Sequence, residues 1–480
     1  IAERLRRTGY VSPGDRGLAG EGDRLLLDPV EAGLAKASMR GEGYGRIAAY
    51  VRLEGPSIAQ DGIESCLRAL QARHPYLRRA IDRTPLGLAL VPHDGPIPTV
   101  EHQLAEDMCV EDLWKEIERR PLRSGEVLGR VHIIRFPTDP IRTDLIVELE
   151  HVICDGASLT RFGCELVDQL SVYAETGAPR AGEPLSLSAS LNARCAQRMG
   201  GRRKALARMA QYIGRSAWRF RALPPSGLTR NAAHRYSQCS THILRASFSA
   251  EESERLFQVA RGHKVSLMNV LSSAFALSIG TRLATTEGEE RARRLLLSVT
   301  SSLRHRYADP VPTEQLGVHI SGVDPNLVFS PDVSSRQSPS DLWEAARELR
   351  AQLREAMRPG RDAHWLLAYA TGAAITLQLR VPQLDLCSIL VTDSAPFPTP
   401  DRIGVYRLRE VRPLNNGRAH SYPYVIVSKS PAGLLLSLFA PVPAFAVEDL
   451  EAVLEGATER LRGALRAEPS LGQTRASKAS

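Results

Sequence analysis

The apolar run Leu145-Ile-Val-Glu-Leu149 is followed almost at once by His151-Val-Ile-Cys-Asp155-Gly156, and then by apolar residues at helical spacing, Leu159, Phe162, Leu166 and Leu170. An extended run, a break and a helix within so few residues leave little conformational freedom. The strand delivers His151 to its end, and the chain turns sharply into a helix from Ser158 to Tyr173. Gly156 suits such a turn because glycine tolerates positive φ, and Asp155 is short enough to bond back to the backbone. Histidine, with an ordinary pKa of about 6.5, suits proton transfer near neutral pH. On the H-x-x-x-D-G spacing alone, a histidine at a strand end is more often structural than catalytic.

The same alternation runs through the chain. Asp28 to Lys36 starts a short helix, Ile47 to Leu53 alternates like a half-buried strand, and Ser57 can cap a helix from Ile58 to Arg73 that Pro75 ends. Leu88–Val91, Val131–Arg135 and Leu145–Leu149 read as strands, the last two as an antiparallel pair. Further strands fall at 242–248, 295–299, 387–391, 424–427 and 433–439, with helices at 250–262, 266–284, 340–356 and 447–465. This predicts an α/β protein with a loose extension over 1–22 and a first lobe over 23–180. A basic linker over 181–232, a second lobe over 233–466 and a disordered tail over 467–480 complete it.

At 480 residues the chain has ample core to fold without staples. Charged residues make up 24% and hydrophobic ones 43%, and no uninterrupted apolar run reaches the ~18 residues of a membrane span. Seven scattered cysteines without a C-x-x-C pair read as reduced thiols of a cytoplasmic protein. Cys154 faces the core in this reading and is not the nucleophile. No second His or Cys cluster supports a metal at His151. Between Arg198 and Arg230 stand nine Arg or Lys residues and no acid. Such a stretch is either a solvated helix or a docking face for an acidic partner such as a carrier protein or the phosphates of coenzyme A, with Arg202, Arg203 and Lys204 as the candidate docking residues. Nucleic acid is a poor third, since no binding motif accompanies the charge.

The motif resembles the H-H-x-x-x-D-G of the CoA- and carrier-dependent acyltransferases. That superfamily includes chloramphenicol acetyltransferase, peptide-synthetase condensation domains and polyketide-associated (Pap) acyltransferases. Other segments are similar in the same order: Leu67 to Arg78 with its Arg73-His74-Pro75, Val265 to Val270, Val299 to Arg304, and Val391 to Thr399. The last is similar to a crossover segment of phthiocerol dimycocerosyl transferase. The resemblance spans about residues 24–465 and implies a two-lobed, chloramphenicol-acetyltransferase-like fold with an interlobe tunnel. It implies transfer of an acyl group from an acyl-CoA or phosphopantetheinyl carrier thioester to a hydroxyl of a polyketide or similar product. His151 would be the general base, and no cofactor would be permanently bound.

On the same resemblance, Asp155 pairs with Arg304 and holds the loop together with Gly156, rather than orienting the histidine as in a hydrolase triad. Thr392, Asp393 and Ser394 are candidates for substrate contact, with ordinary loop capping as the alternative. An acyl carrier protein or polyketide synthase is the implied partner of a chain expected to work as a monomer. The departure from the pattern is Glu150, where the family usually has its first histidine. Strand alternation sends residues 150 and 151 to opposite sides. Amide formation, a catalytically inactive carrier-binding scaffold and a wax-ester-type activity are the competing functions.

Overall fold

The computed structural model describes residues 8–20, 22–40, 45–104, 109–223, 225–231, 234, 238–288, 292–329, 338–358, 387–393, 400–418 and 420–467. Its first half begins with strands β1 (Tyr10–Val11) and β2 (Arg24–Leu26), helix α1 (Pro29–Arg40), β3 (Arg46–Glu54) and α2 (Gln60–Arg73). Strands β4 (Arg79–Thr84), β5 (Gly87–Pro92) and β6 (Thr99–Gln103) follow, then α3 (Val110–Ile117), β7 (Gly129–Arg135), β8 (Arg142–Glu150) and α4 (Gly156–Thr176). Helices α5 (Leu191–Arg198) and α6 (Arg202–Ala222) lead on to β9 (Pro225–Ser226) and β10 (Ser240–Ser249). Next come α7 (Ala250–Gly262), α8 (Leu267–Glu287), β11 (Arg293–Ser302), β12 (Ile320–Val323), β13 (Asn326–Phe329) and α9 (Pro339–Ala356). The chain closes with β14 (Ile389–Asp393), β15 (Arg402–Ile403), β16 (Tyr406–Pro413), β17 (Tyr424–Ser430), β18 (Gly433–Val442) and α10 (Val447–Ala467).

One sheet has the order β15-β16-β3-β8-β7-β6, and β7 and β8 pair antiparallel as their sequences suggest. Residues alternate across it. Ile47, Ala49, Val51, Leu145, Val147 and Leu149 face a core shared with α2 and α4. The second large sheet follows the path β10-β18-β17-β14-β11-β12. Its Leu297, Ile389, Val391, Val425 and Val427 pack on α7 to α10. Helix α8 is long and apolar enough to cross a membrane, but 83% of its apolar window is buried in this core.

Several sequence expectations need correction. Residues 8–20 are not a loose extension: β1 pairs with β2, and Arg16 is buried, its guanidinium 2.5 Å from Glu31 and 3.1 Å from the Tyr76 hydroxyl. The basic stretch is not a free linker either, because Leu187, Leu191, Cys195 and Met199 pack into the first-half core. Apolar residues among the cations anchor it. Strands β15 and β16, placed with the second lobe by chain order, complete the first-half sheet by pairing with β3. Helix α2 starts later than expected, with Ala59 rather than Ser57 at its N-cap and no side-chain cap. Of the expected tail, residues 468–480 lie outside the described residues.

Candidate active site

Strand β8 ends at Glu150, and His151 begins a tight turn that leads into α4. The turn is pinned at its start, where the His151 N–H donates to the Gly45 carbonyl at 2.7 Å. At its end Asp155 is the N-cap of α4: its Oδ1 accepts the Ser158 N–H at 3.0 Å, and the Asp155 N–H donates to Ser158 Oγ at 3.0 Å. Gly156 is the first residue of that helix and does not take a positive φ, contrary to the sequence expectation. Here the cap, rather than glycine's extra freedom, makes the turn.

The His151 ring is partly exposed, and its Nδ1 lies 2.6 Å from the Cys154 carbonyl oxygen. A carbonyl only accepts, so Nδ1 carries the hydrogen and Nε2 presents its lone pair. Burial pulls the His151 pKa below the ordinary value, with the Cys154 carbonyl and then Asp155 opposing it. Cys154 itself is fully buried, and burial pushes its thiol well above the ordinary range. That rules out a ready thiolate.

Asp155 and Arg304 are brought together across the two halves of the chain. Arg304 Nε donates to Oδ2 and Nη2 to Oδ1, both at 3.1 Å, a bidentate pair with both side chains buried. The remaining Arg304 donors reach the carbonyls of Pro312 (2.7 Å), Gln315 (2.8 Å) and Gly317 (2.9 Å). Asp155 also accepts the His319 N–H at 3.1 Å. Burial pushes the Asp155 carboxyl up, but Arg304 foremost, with His319 and Ser158, holds it below the usual range. The polar contacts of its side chain are with these groups and not with the His151 ring.

Glu150 points away from His151 into a different cluster. Its Oε1 takes Arg46 Nη2 at 3.1 Å and Nε at 3.2 Å, and its Oε2 accepts the Ser38 hydroxyl. Arg46 also meets Glu148 at 3.0 Å, and Glu148 stands 3.5 Å from His132. Sequence reading missed Arg46 and Ser38, and no local signal in the sequence links either to Glu150. Strand register supplies the Arg46 contact, since Arg46 sits opposite Glu150 in the β3–β8 ladder.

The second sheet contributes the face opposite its helical core. Ser298, Leu390, Tyr424, Phe439 and Ile243 form one row across the strands, with Thr300, Ile426 and Ser437 in the next. Thr392 accepts a hydrogen bond from Thr300 in this second row. Asp393 is 3.0 Å from Lys429. Ser394 lies outside the described residues. Arg202, Arg203 and Lys204 are exposed at the start of α6, on an element separate from those that hold His151.

The chain matches no protein-family model and no curated protein. Solved structures do match along nearly its whole length. Polyketide synthase associated protein 5 from Mycobacterium tuberculosis superposes with a TM-score of 0.64 at 17% identity, covering 92% of this chain and 97% of that one. The first condensation domain of the calcium-dependent antibiotic synthetase gives 0.69 at 13% identity, covering 92% and 96%. A trichothecene 15-O-acetyltransferase from Fusarium sporotrichioides gives 0.66 at 11%, covering 92% and 95%. With β16 completing the first-half sheet and His151 directly after β8, the chain has the fold shared by these three solved structures.

Proposed function

We propose that the protein is an acyltransferase that moves an acyl group from a thioester to a hydroxyl, with His151 as general base. The observation that carries this reading is the 2.6 Å contact of Nδ1 with the Cys154 carbonyl. It orients the ring and leaves Nε2 as the atom that takes a proton. As the hydroxyl oxygen attacks the thioester carbon, its proton passes to Nε2. The carbonyl electron pair moves onto oxygen, then returns as the C–S bond breaks, and Nε2–H protonates the leaving thiolate. No acyl-enzyme is needed, and the buried, protonated Cys154 supplies no alternative nucleophile. Asp155, Arg304 and the capped start of α4 hold the loop and stay out of the proton transfer.

The donor in this reading is acyl-CoA or an acylated phosphopantetheinyl carrier, and no cofactor is permanently bound. Arg202, Arg203 and Lys204 are exposed cations suited to an acidic carrier. Thr392 lies on the face of the second sheet away from its core, where an acyl chain has apolar neighbours such as Leu390 and Ile426. The acceptor is a hydroxyl of a polyketide or another secondary metabolite. Similarity to the trichothecene 15-O-acetyltransferase supports ester formation. Equal similarity to condensation domains favours a second reading, amide formation on a carrier-bound amine. Glu150 is bound to Arg46 and Ser38 rather than to His151, which argues against an inactive scaffold. Thiol release from acetyl-, octanoyl- and palmitoyl-CoA with a panel of alcohols and amines tests the reading. Acceptor-dependent release that disappears in His151→Ala is the expected result, and the preferred acceptor separates ester from amide. Release that persists unchanged in His151→Ala overturns it.

A further inference from the structure

A cavity of about 740 Å³ opens where β2, α1, the β4–β5 hairpin, α5 and the start of α6 meet. That volume falls within the roughly 300–1,000 Å³ of small-molecule sites. None of its lining residues is a partner of His151 or Asp155. Small side chains such as Ala32 on α1 leave the space, and leucines supply the apolar wall. The Leu27 N–H donates to the Leu88 carbonyl at 3.1 Å, and Leu86 at the hairpin tip is 53% exposed. Three cations from three separate elements line the same cavity: Lys36 of α1, Arg83 of β4 and Arg202 of α6. Lys36 stands one turn beyond Ala32 on the same helix face, and Arg83 lies opposite Leu88 in the β4–β5 ladder. All three are exposed, and among the described residues none has an ion pair or a side-chain hydrogen bond. Asp28, the one acid in the lining, is buried and already engaged. Its Oδ1 accepts the Glu31 N–H at 2.9 Å and its Oδ2 the Asn192 N–H at 3.0 Å, which serves the starts of α1 and α5. Helix α6, by contrast, begins at Arg202 with Gly201 at its N-cap and no side-chain cap.

We propose that this cavity binds a small phosphomonoester with an apolar body, its phosphate held by Lys36, Arg83 and Arg202 and its apolar part resting on Leu27, Leu86 and Leu88. The head group follows from the charge. Three like charges gathered around one cavity without a counter-ion repel one another, and a doubly charged anion removes that cost. Phosphate suits both the planar fork of arginine and the point charge of lysine. The uncapped start of α6 adds backbone N–H groups and the positive end of a 21-residue helix. The body follows from the wall, which is made of leucine and alanine and carries no aromatic ring on which a nucleobase would stack. This site does not depend on the acyl-transfer reading.

The test is isothermal titration of the full chain with octyl phosphate, inorganic phosphate and 1-octanol. Three proteins are compared: wild type, the double variant Lys36→Gln/Arg83→Gln, and Ala32→Leu. Thermal melts check folding. Arg202 stays in place, since it is also one of the cations proposed to meet a carrier. Wild type should bind octyl phosphate more tightly than either of the other two compounds. Losing two charge-assisted contacts should weaken octyl phosphate about tenfold or more in the double variant. Ala32→Leu keeps every charge but fills the cavity, and it should weaken binding to a similar degree. Octyl phosphate that binds all three proteins alike sits elsewhere, the acyl site included, and overturns the proposal. Octanol binding as tightly as octyl phosphate overturns the phosphate head, and inorganic phosphate doing so overturns the apolar body. No binding of octyl phosphate at millimolar concentration overturns the site itself.

Discussion

Ahead of His151, Glu150 shares Arg46 with Glu148; behind it, Asp155 has Arg304 to itself. Both pairs are buried, both close at 3.1 Å, and both join segments distant in sequence. They nevertheless push their carboxyls in opposite directions. Burial raises Glu150, and Arg46 opposes this less than fully because Glu148 lies on the same guanidinium and adds repulsion. Burial also acts on Asp155, yet Arg304 foremost, with the His319 side chain and the Ser158 cap, brings it below the usual range. Distance therefore does not rank these pairs. The balance of charge and the number of donors to each carboxylate do.

The largest consequence falls on the balanced pair. Removing one partner of a buried ion pair typically costs about 3–5 kcal/mol, and Arg304→Ala should lose that much in urea denaturation together with the activity. A loss below about 1 kcal/mol would mean that the pair does not hold the loop. His151→Ala, between the two pairs, should leave the denaturation midpoint unchanged while turnover falls about 10²–10⁴-fold. In the wild type, kcat/KM should rise with pH through a value below the ordinary imidazole pKa and then level off, because the lowered pKa keeps His151 neutral at neutral pH.

Glu150→Gln sharpens the contrast, since Arg46 keeps Glu148 as a partner and the loss of stability at pH 7 should be smaller than in Arg304→Ala. The pH dependence of each carboxyl has its own sign. Glu150's raised pKa contributes stability that is full below its unfolded value and lost as pH rises through the folded one. Asp155's lowered pKa contributes stability that is present above its unfolded value and lost as pH falls through the folded one. Urea midpoints from pH 3 to 8 should therefore rise relative to wild type on the alkaline side in Glu150→Gln. Asp155→Asn should fall short of wild type at neutral pH and converge with it in acid. Parallel curves for the two variants would erase the distinction. The smallest effect belongs to the surface: replacing Arg202, Arg203 and Lys204 with alanine should move stability by less than about 0.5 kcal/mol. It should weaken binding to an acidic carrier and flatten its salt dependence, as isothermal titration at two salt concentrations would reveal.

Much of the first half was legible from local pattern. The run Leu145–Leu149 alternates across β8, and helix α4 carries its apolar stripe into the core, because burial of one face imposes that period. The Asp155–Arg304 partnership was foreseen only through family likeness, since nothing local links residues so far apart. Misread segments have physical causes too. Arg16 looked like part of a polar extension, yet a buried partner, Glu31, supplies what its charge requires. Gly156 looked like the residue that lets the chain turn, but the Asp155–Ser158 capping box already makes the turn within ordinary φ.

By itself, then, the sequence determined the strand–turn–helix that presents His151 and the two alternating halves. These are local consequences of side-chain period, capping and short chain closure. Tertiary structure alone decided that β16 leaves the second half to complete the first sheet and that Arg46 meets both Glu148 and Glu150. Those contacts depend on strand register and on a loop closed over hundreds of residues, and no local pattern encodes which distant residue will fill the position.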